Sequence, residues 1–172
     1  NDDGVATDEA LALVDLSAQR VTQRLAFYRL AFGFGGDSGG TSILADARNL
    51  IDGFLSGGKV SLDWPMDVSN DAERMVSGAT IKLLLNLALL GIDSLPGGGS
   101  LSVRFADLPD GMGIAMTASG NNARFNKDLQ NAMNPNVSAD ELTVRVVHGY
   151  FSARLAEQLA ASIEVSEGSD GS

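Results

Sequence analysis

Apolar residues recur along the first stretch of the chain at Leu11, Val14, Ala18, Val21, Leu25, Tyr28 and Phe32. The spacings alternate three and four, which is the heptad stripe of a coiled coil or four-helix bundle. A helix over residues 8–32 is expected. Leu13, Leu16, Phe27 and Leu30 widen the stripe and favour a bundle over a two-stranded coil. No later segment carries a matching stripe. The partner helix is therefore expected from another copy of the chain, from a segment ahead of Asn1, or from both.

Glycines 33–40, "GFGGDSGG", then interrupt the pattern. A second helix is expected from a cap at Thr41 or Ser42 through Leu55, ended by Gly57 and Gly58. "KVSLDW" alternates like a strand. Asn70 and Glu73 have capping-box spacing and place a helix start there, running to about Ile92. "SLSVRFA" and "GMGIAMTA" flank the turn "DLPDG" and predict a hairpin. "ARFNKDLQNAM" reads as a short helix. Ser138 and Glu141 form a second capping box, for a last helix reaching about Ala160. "SIEV" reads as a final strand and "SEGSDGS" as a flexible tail. The part after the glycine break is α+β, a small mixed or antiparallel sheet covered by helices.

Composition narrows the function classes. Apolar residues make up 44% of the 172 residues, enough for a core. The net charge of −10 argues against nucleic acid, whose binding draws on Lys and Arg against phosphates, and against an anionic membrane surface. There is no Cys and a single His, so thiolate sites, disulfides and a histidine zinc cluster are excluded within this chain. The longest nearly apolar run, Leu83 to Ile92, is far short of the roughly 18 residues that span a bilayer. A cytoplasmic setting is expected.

Several segments resemble sites without meeting their requirements. "GFLSGGKV" has Val60 where a P-loop needs Ser or Thr, and a helix precedes it where a strand is needed. "GFGGDSGG" has Ser38 in the place of the last glycine of a dinucleotide fingerprint and reads as a hinge. "TASGN" around Ser119 lacks the nucleophile-elbow frame. His148 has no carboxylate within four residues on either side and reads as a half-buried helix residue near Tyr150 and Phe151. Arg20, Arg24 and Arg29 have no acidic neighbour within four positions on their helix. In so acidic a chain they form a basic strip that can meet a phosphoryl group or an acidic partner.

The segments "SAQRVTQRLAFYRLAFG", "GGKVSLDWP", "KLLLNLALLGIDSLPGGGSLSVR" and "VHGYFSARLAEQLAASIEV" occur in an order that resembles bacterial histidine phosphotransferases of the ChpT type, from about Glu9 to Val165. The resemblance implies a homodimer, with two helices from each chain forming a bundle like the phosphoacceptor domain of a histidine kinase. It implies a degenerate kinase ATP-binding domain, an α/β sandwich, beside that bundle. Residues 1–36 would hold the second bundle helix, 41–166 the degenerate domain and 167–172 the tail. A phosphoryl group would pass from a receiver-domain aspartate of a hybrid kinase to a bundle histidine, then to the aspartate of a response regulator.

In this alignment Leu90 stands where the kinase Asn grips metal and phosphates, and Ala118 where an Asp reads adenine. The resemblance therefore implies two lost ATP contacts, no cofactor and no metal. Leu11, Val14, Ala18, Val21, Leu25, Tyr28 and Phe32 would form the dimer seam, and Arg20, Arg24 and Arg29 would serve receiver docking. The phosphoacceptor His is expected ahead of Asn1, since His148 lies in the wrong domain. The alternatives are an ATP-dependent kinase with atypical ligands and a non-enzymatic adaptor.

Overall fold

The computed structural model describes residues 2–33, 41–64, 75–134, 136–138, 140, 142–144 and 146–168. Helix α1 spans Asp2–Phe32. Strand β1, Thr41–Ile43, leads directly into α2, Leu44–Leu55. β2 is Val60–Asp63, β3 is Met75–Ser77 and α3 is Gly78–Asp93. The hairpin of β4, Gly99–Leu108, and β5, Gly111–Ser119, follows. α4, Lys127–Ala132, and α5, Val147–Gln158, complete the order.

β4 is the central strand of a mixed sheet, order β2-β4-β5. It runs parallel to β2, with Leu62 opposite Leu101, and antiparallel to β5, with Leu101 opposite Ala118. Leu108 pairs with Gly111, which leaves Pro109 and Asp110 as the turn. Proline presets the φ of a first turn residue, so the hairpin follows from the local sequence. β1 and β3 form a separate antiparallel pair, with Ser42 opposite Val76.

α3 is the hub. Its residues from Ile81 to Leu90 are buried on nearly every side. One face meets Leu44, Ala47 and Ile51 of α2 and Leu101 and Val103 of β4 in the main core, which also takes in Phe27 and Ala31 of α1. The opposite face carries Leu83 into a second cluster with Leu155 and Ala156 of α5. A helix buried all round needs an apolar sequence all round, which "IKLLLNLALL" supplies apart from Lys82 and Asn86.

Four expectations need correction. Thr41 and Ser42 belong to β1, and Ile43, the residue before α2, makes no side-chain cap. α3 begins at Gly78, where the Ser77 hydroxyl accepts the Thr80 N–H at 3.1 Å; the expected Asn70–Glu73 cap lies outside the described residues. α5 begins at Val147 rather than near Ser138, and Glu141 of the expected cap lies outside the described residues. "SIEV" is not a strand: Ile163 packs against the α5 cluster instead, a use of an apolar residue that alternation alone does not separate from pairing. The glycine hinge after Gly33 and residues 169–172 of the tail also lie outside the described residues.

Candidate functional site

α1 is buried only near its C-terminal end, through Phe27 and Ala31. The rest of its stripe faces solvent: Leu11, Leu13, Val14, Val21 and Leu25 are 58–66% exposed, and Tyr28, Leu30 and Phe32 remain more than two-fifths exposed. Ala18 is exposed as well. Among the described residues no element covers the stripe from Leu11 to Leu25, whereas Tyr28 meets Phe54 and Phe32 meets His148 and Phe151. Such a contiguous patch exceeds the scattered exposed apolar residues normal on a protein surface.

The three arginines of α1 do not converge. The Arg20 guanidinium lies against Gly57, in the left-handed turn that ends α2, where a Cβ would collide with it. The Arg24 guanidinium stacks over the Phe54 ring, 5.6 Å from its centroid. Arg29 is exposed in the last turn. Arg20 and Arg24 therefore hold α1 to α2 and its terminal turn, so the strip is in part a packing feature. The stacked pair is worth about 0.5–1 kcal/mol at an exposed site.

A cleft of about 430 Å³ opens between the end of α3 and α4, lined by Leu90, Asp93, Ser94, Pro96, Arg124, Asn126 and Leu129. Leu90 is 3% exposed and occupies its floor. Ala118 does not line this cleft; it packs against the main core from β5. The polar groups of the cleft are partly committed to local structure. The Ser94 hydroxyl donates to the Leu90 carbonyl, and Asn126 Oδ1 accepts the Asp128 N–H. A leucine side chain offers neither a lone pair to a metal nor a donor to a phosphate. Among the described residues no three His, Asp or Glu side chains converge as metal ligands.

A buried polar cluster joins three helices beside this cleft. Asn86, fully buried on α3, donates both amide hydrogens to carbonyls, at 2.9 Å to Ala31 and 2.8 Å to Lys82. Its Oδ1 is thereby the only atom left to meet His148 Nε2 at 2.9 Å, so Nε2 carries the proton and donates it. Lys82 Nζ donates to the Gly33 carbonyl at 2.7 Å. His148 also stands edge-on to Phe32, with ring centroids 5.7 Å apart. Burial pushes the His148 pKa down from 6.5, opposed by the Asp93 carboxylate. Burial pushes Asp93 up from 3.8, opposed by His148.

His148 is the half-buried helix residue expected, and α3 adds what the sequence around it lacks, an amide in hydrogen-bond contact and the charge of Asp93. Sequence reading missed Asn86 because the pair is separated by 62 residues. The available signal was the i,i+4 spacing of Lys82 and Asn86, two polar residues on an otherwise apolar helix.

A long helix with an exposed apolar side stands beside a small mixed-sheet domain, and the comparisons give the family of this arrangement. The model of the family described as histidine phosphotransferase C-terminal domain matches residues 44–171, and the chain belongs to that family. It is 27% identical over 164 residues to the protein phosphotransferase ChpT of Brucella abortus (strain 2308), covering 95% of this chain and 76% of that protein. A solved structure of a bacterial phosphotransferase superposes with a TM-score of 0.70 at 26% identity, covering 92% of this chain and 74% of the other.

Proposed function

We propose that this histidine phosphotransferase relays a phosphoryl group between receiver-domain aspartates without binding ATP. Residues 1–36 act as the second helix of a dimeric four-helix bundle, and residues 41–166 as a degenerate kinase-type domain that serves as a docking surface. The bundle stripe of α1 supports the dimer, since Leu11, Val14, Val21 and Leu25 need a covering partner. The relay fits a cytoplasmic setting, where hybrid kinases and response regulators present their receivers.

The observation that carries this reading is Leu90, an aliphatic side chain buried in the cleft lining, at the position that the family resemblance aligns with the kinase residue for metal and phosphates. This reading assigns the phosphoacceptor to a bundle helix rather than to His148, whose Nε2 proton is committed to Asn86 in the other domain. In the first half of the relay a histidine nitrogen forms a P–N bond as the aspartyl P–O bond breaks. The carboxylate leaves with the bonding pair, and the second receiver reverses the exchange. Such transfer requires in-line positioning and charge stabilisation more than new covalent chemistry from the protein.

Calorimetry with Mg-ATP tests the loss of the nucleotide site. No saturable heat is expected up to millimolar nucleotide, and a micromolar Kd would replace this reading with an ATP-dependent kinase. Arg20, Arg24 and Arg29 are assigned to receiver docking. The R24E substitution is expected to slow transfer while the dimer stays folded, and an unchanged rate removes that assignment.

A further inference from the structure

The last carbonyls of a helix have no intrahelical donor and carry the negative end of its dipole. At the end of α1 these groups are met by side chains of α3. Asn86 Nδ2 bonds the Ala31 carbonyl, and the Lys82 ammonium bonds the Gly33 carbonyl. Asn86 in turn holds His148 of α5, and Phe32 of α1 touches the rings of both His148 and Phe151. Three helices therefore meet at one fully buried amide whose two hydrogens and oxygen are all engaged.

An aliphatic residue in place of Asn86 would fill similar volume without desolvating an amide. What the amide adds is direction. Its bonds are made at one rotation and one axial position of α1 against α3, whereas apolar packing tolerates slippage. α1 is also the element that carries the proposed bundle seam, so its exit angle fixes where the bundle stands relative to the α/β unit.

We propose that Asn86 and His148 are positioning residues for phosphoryl transfer, locking the end of the bundle helix to the docking domain so that a receiver meets both at one fixed geometry. This rests on the relay reading above. A receiver that must meet two surfaces at once binds more weakly when their relative geometry is not fixed beforehand, which is why such a lock would matter.

The test uses the full-length protein with H148L, which removes the donor, and H148Q, whose side-chain amide can donate to Asn86 Oδ1. The 172 residues contain no cysteine, so spin labels can be introduced at the exposed Gln19 of α1 and Thr117 of β5. Labelled protomers are diluted into unlabelled protein. A narrow distance distribution is expected in the parent and in H148Q, and one at least about twofold broader in H148L. Receiver KM is expected to rise about fivefold in H148L, the equivalent of one ordinary hydrogen bond, with kcat within about twofold and recovery in H148Q. A narrow distribution in H148L overturns the proposal. So does a broadened distribution with unchanged KM, or an H148Q variant as impaired as H148L. If the parent itself takes no phosphoryl group from a receiver, the relay reading fails, while the distances still decide the lock.

Discussion

At the scale of single residues, the telling feature is a buried amide that fixes a histidine's proton. Asn86 has no exposed surface, and its three contacts leave His148 one role, donor through Nε2. Burial holds the His148 pKa below 6.5, so the folded chain binds fewer protons than the unfolded chain just below that value. Its contribution is therefore full above about pH 6.5 and is lost as pH falls through the folded pKa. Asp93, raised above 3.8 by burial, acts in the opposite sense: its contribution falls as pH rises from 3.8 through its folded pKa. The histidine is expected to lower the melting temperature as pH falls below about 6.5, and that part of the pH dependence is absent in H148Q. A slope identical in H148Q and the parent would contradict this assignment. Removing the amide is more severe: N86L takes the Asn86 bond from the Ala31 carbonyl and the acceptor from the His148 N–H, at about 1–3 kcal/mol, readable by denaturant unfolding.

At the scale of elements, local chemistry decided what was legible. The α1 stripe, β2, the β4–β5 hairpin and α4 follow from periodicity and turn residues that sit together in the sequence. The helix starts were less legible, because Ser or Asn followed by an acid three residues on is only one way to begin a helix. α3 begins instead at Ser77, whose cap lacks the acidic partner. S77A is expected to cost about 0.5–2 kcal/mol in urea unfolding, the usual range for a lost N-cap, and a change below a few tenths would deny the cap that role. β1 and β3 are three residues each, too short for an alternation signal, and Ile163 took a packing place that looks identical to strand alternation in sequence. Of the candidate site, Leu90 was named from its place in the resemblance, and the structure puts it in the lining of the cleft. The Asn86–His148 pair depends on two helices meeting, which no local pattern encodes.

At the scale of the whole molecule, the chain divides its tasks between an open apolar helix and a domain whose cleft floor is aliphatic. The open helix accounts for the proposed dimer. Replacing Val21 and Leu25, which are 58% and 64% exposed, by Asp together should leave the domain folded and drive sedimentation toward a monomer. An undiminished dimer would place the interface elsewhere. The aliphatic cleft accounts for the proposed relay, and the two meet in a claim about the source of the phosphoryl group. In the proposed relay it comes from an aspartyl phosphate on a receiver rather than from a nucleotide. Full-length protein mixed with a phosphorylated receiver, in buffer stripped of nucleotide, tests this most directly. The account predicts an acid-labile, base-stable phosphoryl group on the protein and its onward passage to a second receiver. Labelling that requires Mg-ATP, and fails from the phosphorylated receiver, would contradict it.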